Sequence, residues 1–155
     1  MMELAVVLSI IAILSAMAVP SYLYKVIREQ IESAINLAGI AEKPVEAVWT
    51  LGNSLPANNE AAGLPTPDKI VNYVVSSIEL RDGAVNITFG NRANGALKGK
   101  ILSLRPAVVT NVHMVPITWV CGNAEAPDKM QILGTNQTNL PDNLLPIACK
   151  PRSKK

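Results

Sequence analysis

A single carboxylate, Glu3, stands at the head of 21 consecutive uncharged residues, Leu4–Tyr24. A carboxylate in the hydrocarbon of a bilayer costs at least ~2.5–3.5 kcal/mol, so an acid within such a segment is a functional candidate by default. Other groups with chemical potential are sparse. Cys121 and Cys149 are too few to build a zinc site, and His113, the sole histidine, has no second ligand type at metal spacing. His113 reads as an ordinary surface or strand residue. In a domain outside the cytosol, the two cysteines read as one disulfide closing 122–148, with a contribution of ~3–4 kcal/mol from restriction of the unfolded chain. Asp68, Asp82, Asp128 and Asp142 each stand beside Gly, Pro or Asn in turn-like contexts, where such residues serve backbone geometry. The spacing of Asp128 and Asp142 matches no calcium loop. Asn86-Ile87-Thr88 and Asn136-Gln137-Thr138 fit the glycosylation acceptor pattern, which also arises by chance. With no Gly-rich phosphate cradle either, no catalytic, cofactor-binding or metal-binding set is expected, and the chain does not read as an enzyme.

Net charge is only +2, which excludes a field over the whole molecule suited to nucleic acid. The charge is uneven, because the terminal "KPRSKK" carries four cations and leaves the rest of the chain at −2. Lys150, Arg152, Lys154 and Lys155 are thus candidates for DNA or another polyanion, against the simpler reading of a solvated tail.

The elements that would position these groups begin with the apolar run. At about 1.5 Å per residue, residues 4–24 reach roughly 30 Å, the thickness of a bilayer core. A cleavable secretory signal is the competing reading, and "AMA" at Ala16–Ala18 resembles a cleavage site. Against it, the only charge before the run is negative, and the apolar pattern continues past that site into an amphipathic helix. There Ile27, Ile31, Ala34, Ala38, Ala41, Val45 and Val48 recur at spacings of three and four, one stripe of a helix. Lys25–Glu29 and Arg28–Glu32 are opposite charges four apart. Gly52 suits the position just past the helix end. The spacing therefore predicts one helix of nearly 50 residues, with Pro20 and Pro44 each bending it or costing it a hydrogen bond.

The stretch "ELAVVLSIIAILSAMAVPSY" resembles the N-terminal assembly segment of type IV pilins, in which a glutamate, an apolar run and a proline keep the spacing of Glu3 and Pro20. The resemblance implies a leader removed by a prepilin peptidase, a methylated N-terminus, and a glutamate that neutralises the N-terminal amine of a neighbouring subunit. Glu3 would be that carboxylate. Two departures stand out. This chain begins "MM" two residues before Glu3, where the family has a phenylalanine four residues before its glutamate. Ala12 replaces a common glycine, and because alanine favours helix, Ala12–Pro20 is expected to resist melting. The likeness continues through "NNEAAGLPTPDKIVNYVVSSIELRDGAVNITFG" and "ANGALKGKILSLRP". "WVCG" and "LLPIAC" resemble the two ends of the family's disulfide-bounded region.

The expected fold is α+β: a long N-terminal helix packed on a four-stranded antiparallel sheet, with a disulfide-bounded C-terminal loop. Residues 1–24 form the transmembrane or filament-core half of the helix, and 25–155 the globular domain. Within it, 25–51 is the amphipathic half, 52–69 a long surface loop, 70–121 the sheet, 121–149 the disulfide-bounded region and 150–155 the basic tail. Strands are expected over Ile70–Leu80, Ala84–Phe89, Lys100–Arg105 and Val115–Cys121, with Asp82-Gly83 turning the first hairpin. The last strand is expected at the sheet edge, with the 122–148 segment pinned over it. The implied function is that of a pilus subunit, anchored in the inner membrane with a periplasmic domain and then polymerised with copies of itself at the cell surface by assembly machinery. Adhesion, twitching motility or DNA uptake would follow. The alternatives are a minor pilin that binds DNA or another polyanion, and a pseudopilin of type II secretion.

Overall fold

The computed structural model describes residues 2–152, with the backbone alone for residues 2 and 17–21. Helix α1 runs unbroken over Met2–Thr50, through both Pro20 and Pro44. Each proline lacks an N–H, so the helix forgoes one ladder bond at each. In the second half Ile27, Ile31, Ala34, Ala38, Ala41, Val45 and Trp49 are buried. Val48 was expected to close this stripe, but it is only half-buried and the indole of Trp49 takes the place. From Val45 both residues lie within reach of the same face, and the larger ring covers more of the core. The alanines at the centre let the helix approach the sheet closely. Lys25 and Glu29 pair at 3.9 Å, whereas Arg28–Glu32 is absent from the three ion pairs among the described residues. Long exposed side chains gain too little from such pairs to be held in one geometry. Gly52, at φ +76°, ends the helix: its N–H donates to the Trp49 carbonyl (2.9 Å) and that of Asn53 to the Val48 carbonyl (3.2 Å).

The sheet has strands β1 Val75–Arg81, β2 Ala84–Phe89, β3 Ile101–Val108, β4 Thr118–Cys121 and a short β5 Gln131–Ile132, all pairing antiparallel. Its order is β1-β2-β3-β4. Four strands were expected, and the fifth corrects that count. Ala107 pairs with both Thr118 and Ile132, so β5 adds to β3 on the β2 side. The β1–β2 turn is Asp82-Gly83 with both φ values positive (49° and 80°), the twist a two-residue hairpin needs. A side chain at position 83 would also collide with Leu55. β1 begins five residues later than expected because the Asn72 carboxamide accepts the N–H groups of Val74 and Val75 (2.8 Å each), holding this segment out of the ladder. β3 reaches three residues beyond Arg105, and β4 starts three residues after Val115.

The core lies between the second half of α1 and one face of the sheet, where Ile78, Leu80, Val85, Ile87, Phe89, Leu102 and Leu104 are buried with the helix stripe. The 52–69 loop is more structured than expected and contains 3₁₀ turns at Glu60–Ala62 and Pro67–Lys69. Its buried Asn59 donates to the Ile78 carbonyl (3.0 Å) and accepts from the Leu80 N–H (2.7 Å), as a partner strand would along the outer edge of β1. The disulfide-bounded segment covers β3 rather than the outer edge of β4. Asn139 exchanges both backbone-directed bonds with Ile101, and Thr138 Oγ1 accepts from the Ser103 N–H (3.0 Å). The outer edge of β1 and the part of β3 that extends past β4 are thus blunted by side chains from irregular segments.

Candidate assembly surface

Among the described residues, 3–16 of the first half of α1 are all exposed and pack on nothing within their own chain. Glu3 lies exposed in the first helical turn, where a negative charge complements the helix dipole. Leu4, Val6, Val7, Leu8, Ile10, Ile11, Ile13 and Leu14 point to all sides and are 51–66% exposed. The two hydroxyls within Leu4–Ala16 are internally satisfied: Ser9 Oγ donates to the Ala5 carbonyl (2.8 Å) and Ser15 Oγ to the Ile11 carbonyl (2.7 Å). That arrangement makes the surface more apolar than composition suggests. Among the described residues no helix is long and apolar enough to cross a membrane. The expected 4–24 span includes 17–21, and the Pro20 side chain, part of the expected assembly motif, lies outside the described residues along with Met1.

At the other end, Cys121 and Cys149 form the disulfide (S–S 2.04 Å), with Cys149 buried. Asn123 donates its N–H to the Cys149 carbonyl (2.9 Å), and Gly122 donates to the Ser103 carbonyl (2.8 Å), which seats the bridge on β3. Arg105 donates through its guanidinium to the Gly122 carbonyl (2.8 Å), and burial pulls its pKa down. Trp119 Nε1 donates to Glu46 Oε1 (2.8 Å), tying β4 to the helix. Four residues before Glu46 on the helix, Glu42 is half-buried. Burial, and secondarily the charge of Glu46, raise its pKa from 4.5 to about 7.

The remaining candidates take structural places. His113 Nδ1 lies 3.0 Å from the Trp49 carbonyl, which can only accept, so the ring caps the C-terminus of α1 and packs against the indole at 4.2 Å. Sequence offered no sign of this contact, because the two residues are 64 positions apart. Asp68 pairs with Lys69 at 3.3 Å, and its carboxyl is held below the usual range by hydrogen bonds from Thr66 and Lys69. Asp142 accepts from Asn123 at 3.4 Å, and among the described residues no three acidic, His or Cys groups gather as a metal would require. Asn86 is buried, accepting from Ser103 Oγ at 2.6 Å, so this acceptor triplet is closed in the folded domain, whereas Asn136 is exposed. Of the basic tail, Lys150 is half-buried and Arg152 exposed. Lys154 and Lys155 lie outside the described residues.

The pilin family, described as a bacterial filament family, matches residues 28–150. A fimbrial protein of Neisseria meningitidis serogroup B is 30% identical over 139 residues, covering 89% of this chain and 79% of the relative. A type IV major pilin, PilE1 of Neisseria gonorrhoeae, is 29% identical over 97% of this chain and 84% of its own length. The fimbrial protein EcpC of Eikenella corrodens is 34% identical, over 81% and 82% respectively. The matched region takes in the amphipathic half of α1, the sheet and the disulfide-bounded segment as one unit. The chain belongs to the pilin family, as a type IV pilin: a structural subunit of a bacterial surface filament and not an enzyme.

Proposed function

We propose that this subunit polymerises through the first half of α1, after a period in the inner membrane anchored by the same residues. The observation that carries the reading is the all-round exposure of Leu4–Ala16 on a helix whose continuation buries its apolar stripe inside the domain. Burying a Leu- or Ile-sized side chain is worth ~1.5–3 kcal/mol against water, so a bundle of such helices is strongly favoured over solvated subunits. Against lipid that gain largely vanishes, so transfer from membrane to filament has to be driven by assembly machinery. Glu3 supplies register: its carboxylate would pair with the N-terminal amine of a neighbouring subunit exposed by a prepilin peptidase, a charge pairing that an aliphatic seam cannot provide. The resulting filaments would serve adhesion, twitching motility or DNA uptake. Replacing Glu3 with alanine is expected to abolish surface filaments in electron micrographs while the subunit still fractionates with the membrane. Normal filaments built from Glu3→Ala subunits would overturn the reading.

A further inference from the structure

The two ends of the domain carry complementary apolar features. At the top, beyond the end of α1, the 109–116 turn is fastened to the helix by the His113–Trp49 contact and closed on itself by the Val112 N–H bond to the Val109 carbonyl (3.1 Å). From this turn Met114 projects 95% exposed, beside Glu46 and Thr50 of the helix end and Pro116 and Ile117. At the bottom, where the helix leaves the domain, a groove of about 400 Å³ opens between Leu23, Tyr24 and Ile27 of α1 and Asn94, Ala96 and Leu144. Its far wall is fixed to the helix by the Asn94 N–H bond to Gln30 Oε1 (2.8 Å). We propose that in the filament Met114 of one subunit seats in this groove of the subunit stacked above it.

The occupant is a second copy for three reasons. The groove is continuous with the exposed half of α1, since Leu23 and Tyr24 line it and are themselves exposed. No uncompensated charge opposes the join: Glu46 beside Met114 is bonded to Trp119 Nε1, and Lys25 and Arg28 beside Tyr24 are balanced by Glu29 and Glu32. A contact between opposite ends of identical subunits is heterologous, which propagates into an open filament rather than closing into a dimer. The helix from Tyr24 to Thr50 sets the spacing of subunits joined this way at about 40 Å along the axis. The proposal rests on assembly through the first half of α1, but its test does not use Glu3.

Wild-type filaments and subunits released from them in detergent are exposed to hydrogen peroxide, and sulfoxide at Met114 is followed by mass spectrometry, with Met130 as the internal reference. Met114 is expected to oxidise several-fold more slowly in filaments than in subunits, relative to Met130. Equal rates overturn the proposal. The partner is read from subunits with Ala96→Cys and Met114→Cys, co-assembled with wild type so that filaments still form. Mild oxidation is expected to give disulfide-linked dimers only when both substitutions are present. Protection of Met114 without such dimers overturns the groove as its seat.

Discussion

Ile10 and Ile31 lie on one continuous helix about six turns apart, yet Ile31 is fully buried and Ile10 is 51% exposed. The second half of α1 meets its requirement internally, with an apolar stripe against the sheet and polar residues outward. The first half is apolar on every face, and no arrangement of this chain alone can cover it. One element is therefore complete as a fold component and incomplete as a surface. That difference is what the proposed assembly rests on: in our reading the subunit is completed by other copies of itself.

The contrast can be broken most sharply by paired truncations. Ile31→Ala is expected to cost about 2–5 kcal/mol through lost burial and a residual cavity, read by denaturant unfolding of the full-length protein in mild detergent. Ile10→Ala should leave that unfolding curve unchanged and instead lower the temperature at which filaments dissociate. Equal destabilisation by both would mean that the halves do not differ as described.

Much of this contrast was legible beforehand. Helical stripes depend on spacing within one segment, so Ile27 through Val45 could be read directly, as could the Asp82-Gly83 turn and the helix stop at Gly52. What escaped depends on partners distant in the chain. The choice of Trp49 over Val48, the Asn59 plug on β1, the two-residue β5 and the His113 cap are each decided by neighbours that only the folded chain brings close. The candidate site was legible for a related reason: Glu3 and its apolar run form a local pattern, while the groove at Leu23–Ala96 and the tip at Met114 exist only in three dimensions.

Size changes sharpen the comparison further. Ala38 is fully buried where the helix lies close to the sheet, so Ala38→Leu is expected to destabilise the domain by about 1–3 kcal/mol through overpacking. Ala12→Leu, on the exposed half, should leave domain unfolding unaltered in the same assay.

A smaller effect is a pH dependence confined to the second half. Glu42 has a folded pKa of about 7 against an ordinary 4.5, so folded and unfolded chains are both protonated below about pH 4.5 and its full contribution is present there. As pH rises through this window the unfolded chain ionises first, and stability is lost until the folded carboxyl also ionises above about 7. Thermal unfolding between pH 4 and 8 should show this decline, and Glu42→Gln should flatten it. A slope unchanged by the substitution would assign the pH dependence to another group.

The central claim, that the uncovered half of α1 becomes the interior of the filament, is tested most directly by a cysteine at Ile10. In intact filaments carrying Ile10→Cys, a membrane-impermeant maleimide is expected to leave that thiol unmodified, with full modification once the filaments are dissolved in denaturant. Rapid and complete labelling of the intact filaments would contradict the account.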